Sequence, residues 1–263
     1  MRPHRLSLIV VLSFCSAVTL AAQSPSSSSP QALATLQSAF QALSGKTPVN
    51  DATLTGTAER IAGSDDETGT VVLKTVSGAN RLDLSLSGGT RSEIRSSTAS
   101  GSVGSWIGPD GVSHAMANHN LMTDAGWFPA FTIGNLISAT NVTATYVGLE
   151  TRSGASVIHI SANQQFTGLS ANSAALKQHL SSADLYFDSS TLLPVSYVFN
   201  SHPDDNAGLD IPTEVHFSNY QKVDGALIPL HVQKFINNTL TIDLQFQDAS
   251  LNTGISAAQI SAQ

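Results

Sequence analysis

Apolar positions define the first element. Leu33, Leu36, Phe40 and Leu43 recur at steps of three and four, on one face of a helix. Pro30 suits the first turn, and Gly45 with Pro48 ends the run. The spacing predicts an amphipathic helix over 30–45, whose apolar stripe must lie on another surface.

After Asn50 the period changes to two. Leu82, Leu84 and Leu86 alternate with Asp83, Ser85 and Ser87. Val142, Ala144 and Tyr146 alternate with Thr143 and Thr145, and Val195, Tyr197 and Phe199 with Ser196 and Val198. The clearest run is Leu240, Ile242, Leu244 and Phe246, separated by Thr241, Asp243 and Gln245. Alternation places successive side chains on opposite faces, so these are strands with one buried and one wet face. The turns agree. Asp224-Gly225 joins runs 213–222 and 226–236, and Asn237-Asn238 leads on to 239–248. Arg152-Ser153-Gly154 separates 142–150 from 155–162, and Gly88-Gly89 closes 81–87. The C-terminal runs are each about ten residues, longer than the usual five or six, and long strands joined by tight turns twist and curl. Two segments break the rhythm. Residues 126–138 read as a loop into a short helix. Residues 170–181 read as another, with Leu176 and Leu180 on one face and Ser170 or Asn172 as its cap.

The first 22 residues have a different character. Arg2 and Arg5 precede an apolar stretch over 6–20 and the small pair Ala21-Ala22. This reads as a secretory signal peptide, cleaved near Ala22. The stretch is shorter than the roughly 20 residues that a membrane span needs. Residues 23–30 read as a flexible polar leader and 31–263 as one domain, periplasmic or secreted. Cys15 is the one cysteine. Leu12-Ser13-Phe14-Cys15 partly fits a lipidation site, but Phe14 is bulky for the position before the cysteine. Cys15 reads instead as a small apolar residue that leaves with the peptide. The mature chain then has no disulfide and no thiolate metal site, so its core must hold by itself.

Composition adds two points. Charged residues are 12% of the chain, against a usual share of about 25%. Hydroxyls replace them, with 37 Ser and 23 Thr, so the wet faces of the strands are surfaced by neutral polar groups. The net charge of −7 argues against nucleic acid, which needs clustered positive charge.

One region carries a resemblance. Residues 184–252 open with Asp-Leu-Tyr-Phe-Asp, preceded by Ala183, with Leu-Pro-Val soon after. Phe217-Ser-Asn-Tyr-Gln-Lys-Val-Asp-Gly-Ala-Leu-Ile-Pro follows, then a closing run from Leu240 that ends in Leu-Asn. This pattern resembles the outer-membrane lipoprotein-sorting proteins, the periplasmic lipoprotein carriers and their relatives. The resemblance implies an open half-barrel of antiparallel strands, with helices on the concave side and an apolar cavity between. Members bind acyl chains of lipoproteins or other hydrophobic ligands, and some are envelope-stress sensors. The motif residues are mostly turn and core positions, so they report fold more than function. None of Arg60, Arg81, Arg91 and Arg95 is marked out by the motif.

The expected fold is therefore mainly β with a few helices: a curled antiparallel sheet with helices on its concave side. The candidate chemistry is sparse. There is no Gly-x-Ser-x-Gly elbow, and Ser105, the nearest candidate, is flanked by Val103 and Ile107 where glycines are needed. His114 and His119, near Asp110 and Asp124, are five apart and would point to opposite faces of a strand. His159, His216 and His231 read as polar-face residues. Asp204, Asn206, Gly208 and Asp210 alternate like a calcium loop but lack its distal Glu. No cofactor, metal or catalytic residue is expected. The aromatic stretch around Trp106, Trp127, Phe128 and Phe131 reads as core or as a cavity wall. With Leu36, Phe40, Phe217 and Phe246 these are the candidate ligand-contacting residues. The expected function is an exported binding protein holding an acyl chain or lipoprotein lipid between the sheet and helices 30–45 and 127–138. Its partner would be a hydrophobic small molecule or lipid-modified protein, with transient contact to membrane proteins, and the protein a monomer. A sensor or interaction module on the same fold, and a hydrolase, are the rival readings.

Overall fold

The computed structural model describes residues 27–98 and 101–261, so the expected signal peptide and Cys15 lie outside the described residues. One helix precedes the sheet: α1 spans Pro30–Ser44. Ser29 caps it by accepting from the Ala32 amide, and Gly45 ends it at φ 63. Its buried face is Ala32, Leu36, Ala39 and Leu43. Ser28 and Ser29, at the end of the expected leader, are tied down: the Ala144 amide donates to Ser28 Oγ at 2.9 Å. The Ser29 amide donates to the Ala144 carbonyl at 2.8 Å.

Six strands follow as a meander: β1 Asp51–Ala62, β2 Asp65–Val76, β3 Ala79–Leu86, β4 Gly89–Thr98, β5 Gly101–Ile107 and β6 Ser113–Ala115. A 3-10 turn over Asn118–Leu121 leads to α2, Pro129–Ser138. The second meander is β7 Val142–Arg152, β8 Ala155–Gln164, β9 Ala183–Asp188, β10 Pro194–Ser201, β11 Ile211–Val223, β12 Ala226–Ile236 and β13 Thr239–Leu251. The helix α3, Ala171–Leu180, interrupts it with Ser170 as cap. A last helix, α4, spans Ala257–Ser261. In α3 Leu180 is buried but Leu176 is exposed, so only one of the two predicted apolar positions packs.

All strands join one antiparallel sheet in the order β6-β5-β4-β3-β2-β1-β13-β12-β11-β10-β9-β8-β7. The sheet is open, with β6 and β7 at its edges. The two meanders are joined where β1 pairs with β13, setting Leu54 opposite Ala249 and Ala58 opposite Leu244. The tight turns fall where the sequence places them. Ser153-Gly154, Asp224-Gly225 and Asn237-Asn238 all have positive φ, the geometry that matches the twist of a hairpin.

The core lies on one face of this sheet, under α1 and α2. It gathers Leu36 and Leu43 of α1, Trp127, Phe131 and Ile133 at α2, and Leu54, Leu73, Phe187, Val215, Ile228 and Leu244 from the strands. The helices meet where Gly134 of α2 leaves room for the Phe40 ring. A small second cluster of Val76, Ala79 and Ile260 docks α4.

Candidate functional site

Register assigns the faces. Residues directly opposite in an antiparallel pair share a face. Leu54 faces Leu73, Leu73 faces Leu82, Leu82 faces Glu93, and Glu93 faces Trp106. Leu54 and Leu73 belong to the core beneath the helices, so the whole row lies on the concave side. Toward β4 and β5 the cover ends, and a groove of about 360 Å3 opens. Trp106 and Ile242 present its apolar surface; Leu82 and Leu84 lie beneath as buried core residues, and Ile107, the register partner of Ser92, borders it from the neighbouring strand position. Trp106 is 43% exposed and stacks on His114, with ring centroids 4.1 Å apart. An indole left this open offers apolar area to a ligand.

Charged side chains line the same groove. Arg60, Arg91 and Glu93 belong to its wall. Glu67 bridges the two arginines. Arg60 Nη1 donates to its Oε2 at 3.0 Å, and Arg91 Nη2 donates to the same oxygen at 3.0 Å. Arg91 Nε lies 3.3 Å from that oxygen as well. Partial burial pushes the Glu67 carboxyl up, but Arg91 and Arg60 outweigh it and hold it below the usual carboxylate range.

A second charged set lies deeper. Lys234 and Ile242 are register partners, which puts Lys234 on the concave face. Its ammonium sits over the Trp127 ring, 5.2 Å from the centroid. Arg95 Nε donates to Glu93 Oε1 at 2.8 Å. Burial raises the Glu93 carboxyl, yet Arg95 and Lys234 bring it below its ordinary value. Burial pushes the Lys234 ammonium down, opposed by Glu93. Arg95 also donates to the Asn120 and Thr123 carbonyls at 3.0 and 3.3 Å, anchoring the segment before α2.

Of the eight residues singled out in the sequence, Trp106 lines the groove. Leu36, Trp127, Phe128, Phe131, Phe217 and Phe246 are buried in the main core, and Phe40 packs half-buried against it. Trp127 comes nearest the groove, behind Lys234. Phe217 borders a void of about 10 Å3. Sequence reasoning missed Leu82, Leu84, Ile107, Ile242 and the Arg60–Glu67–Arg91 bridge. The alternation at Leu82 and Leu84 was visible, but not that this part of the inner face lacks a helix over it.

The convex face carries His159, His216 and His231. His231 Nδ1 is 3.1 Å from Ser218 Oγ, and His231 Nε2 is 2.9 Å from Asp243 Oδ1. His159 lies between Glu150 and Asp184, at 2.6 and 2.9 Å. His216 pairs with Glu214 at 2.9 Å. These polar-face residues each have a polar partner within hydrogen-bond distance. His114 and His119 do not converge, since His119 Nε2 turns to the Pro203 carbonyl at 3.0 Å. Asp124 accepts from the Gly126 amide and the Thr132 hydroxyl at the start of α2. Asp210 lies 2.9 Å from His179 Nε2. Among the described residues no group of three or more His, Cys, Asp or Glu is placed to hold a metal ion.

No family model and no curated protein matches the sequence. Solved structures do match the fold. An outer-membrane lipoprotein-sorting protein domain from Vibrio parahaemolyticus is 13% identical, covering 88% of this chain and 96% of that one, with a TM-score of 0.55. A DUF1329 family protein from Desulfovibrio piger is 11% identical over 88% of this chain and 97% of its own, with a TM-score of 0.56. A LolA superfamily protein from Nitrosomonas europaea is 11% identical over the same shares, with a TM-score of 0.52. At these identities the likeness is one of fold, and it is the fold that the motif in residues 184–252 implies.

Proposed function

We propose that this chain is an exported binding protein that holds an apolar chain in its concave groove. The observation that carries this is a groove of about 360 Å3 on the concave face, where the half-exposed Trp106 and the half-buried Ile242 present apolar surface above the buried Leu82 and Leu84. Helices α1 and α2 cover the core to one side of the groove, and the voids beside α2 are smaller, about 160 and 100 Å3. The groove's volume falls within the usual range for ligand sites, roughly 300–1,000 Å3. Binding would work by burial, since each methylene removed from water contributes about 0.8 kcal/mol. The sorting-protein domain that shares the fold supports an acyl chain or lipoprotein lipid as occupant. The basic start and apolar stretch before residue 22 support export to the periplasm.

Thermal melting with dodecanoate and with its monoglyceride tests the reading. A ligand at a hundred times its Kd stabilises the fold by about 2.7 kcal/mol. A rise in melting temperature with at least one of them is expected. No rise with either, and no change in Trp106 fluorescence, would overturn it.

An interaction module is the second reading. Val147 and Leu149, at 51% and 64% exposure, stand on the edge strand β7, and an open edge can accept a partner strand.

A further inference from the structure

The charge of this protein is unevenly placed. The chain carries 12 Lys and Arg against 19 Asp and Glu. Yet Arg60, Arg91, Arg95 and Lys234 share the concave face, where Glu67 and Glu93 answer them. The convex face takes Glu59, Asp83, Asp184 and Asp243, together with Lys74 and Arg81. At the groove Arg60 and Arg91 are matched in number by Glu67 and Glu93, so what distinguishes it is how its cations are placed.

That placement is geometrically specific. Two guanidiniums converge on a single oxygen of one carboxylate. The arginine side chains are 27% and 28% exposed, and Glu67 is 13% exposed, so the cations face the opening. Arg60 is the register partner of the half-buried Ile242, and Arg91 lines the same groove as the half-exposed Trp106. A head bound at the arginines would place its apolar chain against Ile242 and Trp106. Arginine forks suit this task, because they match carboxylate and phosphate oxygens edge to edge.

We infer that Arg60 and Arg91 are the head-group subsite of the groove, for an anionic carboxylate or phosphate head joined to an apolar chain. Glu67 is the internal carboxylate that holds this pair until the ligand head displaces it. This rests on the apolar-ligand reading above and adds the ligand's charge to it. Displacement exchanges one carboxylate–guanidinium contact for another, so the ligand gives back most of what it breaks. The cost that remains sets a threshold: the anion alone gains too little, and the buried chain supplies the rest.

Calorimetric titration of the full mature chain with dodecanoate, monododecanoylglycerol and inorganic phosphate tests this. The wild type is expected to bind dodecanoate more tightly than the neutral monoglyceride, and phosphate not at all. Glu67→Gln should tighten dodecanoate about tenfold, or about 1.4 kcal/mol, and leave the monoglyceride unchanged. Arg91→Gln should weaken dodecanoate by a similar factor and again spare the monoglyceride, which also shows that the variant is folded. If Glu67→Gln leaves the ratio of the two affinities unchanged, the subsite and its displaced carboxylate are overturned while the apolar site stands. Binding of phosphate alone with dodecanoate-like affinity would instead mark a free-anion site and overturn the amphiphile. If the wild type binds neither amphiphile, this inference falls together with the reading it rests on.

Discussion

Glu67 and Gly88 are fitted to each other. The Glu67 carboxylate, reaching across from β2, occupies the space that a Cβ at residue 88 would fill. Glycine at this turn between β3 and β4 leaves room for that close approach, and its backbone is not left-handed. The contact holds the carboxylate where Arg60 and Arg91 meet it.

Gly88→Ala should therefore act on the groove from outside it. The added methyl pushes Glu67 off the arginine pair. Dodecanoate affinity should rise toward that of Glu67→Gln, with monoglyceride affinity unchanged. Titration calorimetry reads both. A Gly88→Ala variant indistinguishable from wild type in both ligands would mean that the carboxylate re-seats without cost.

The two tryptophans should separate spectroscopically. Trp106 is half-exposed at the groove and Trp127 is 1% exposed in the core. Occupation of the groove should shift Trp106 emission to the blue. Trp106→Phe should abolish the ligand-dependent change and keep the buried signal of Trp127. A shift that survives in Trp106→Phe would place the ligand elsewhere.

The deeper charges form a coupled set. Glu93→Gln leaves Lys234 and Arg95 facing each other without their counter-charge. Its side chain is 19% exposed, so water softens the penalty, and a loss of about 2 kcal/mol is expected by urea denaturation. Combining it with Lys234→Met should recover about 1 kcal/mol of that loss. Additive losses would show that the two groups do not interact.

Asp51 supplies a pH dependence. Its carboxylate accepts from the Thr253 and Gly254 amides at 2.8 and 2.9 Å, fixing the chain that leads into α4. Burial raises its pKa, but those amides outweigh it and hold the carboxyl below its ordinary 3.8. With the folded value below the unfolded one, the stabilisation is complete above 3.8. It is lost as the pH falls through the lower folded value. The melting temperature of wild type should exceed that of Asp51→Asn at pH 6, and the gap should narrow as the pH falls below 3.8. A gap that stays constant with pH would assign the effect to packing.

Ser218, His231 and Asp243 form a hydrogen-bonded row that resembles a nucleophilic relay. Ser218 is exposed on the convex face, away from the groove. Catalysis of this kind depends on donors aimed at a developing oxyanion in a site that excludes water. Ser218 is therefore expected to stay unlabelled by a fluorophosphonate probe, and short-chain nitrophenyl esters to turn over no faster than with Ser218→Ala. Covalent labelling at Ser218 would reopen the hydrolase reading.

Local chemistry was legible in the sequence. Pro30 and Gly45 bound α1 because proline presets the first helical φ and glycine accepts the positive φ beyond the last turn. Ser153-Gly154, Asp224-Gly225 and Asn237-Asn238 marked hairpins because their residues tolerate left-handed backbone. Alternation at 240–246 fixed which side chains share a face, since a strand has no other period. Chain-distant choices were not legible. Pairing of β1 with β13 brings Arg60 beside Ile242, and nothing in either segment names the other. The aromatics that promised a cavity wall mostly went into the core, because α1 and α2 cover the sheet where Trp127, Phe131 and Phe217 stand. The groove opens instead at Trp106 and Ile242, beyond the helices. Sequence alone determined a one-sided, neutrally surfaced antiparallel sheet with a helix before it, since period and turn chemistry are properties of neighbouring residues. The tertiary structure decided which stretch of the inner face stays uncovered and which arginines meet over it, since coverage and convergence depend on register and curl across the whole sheet.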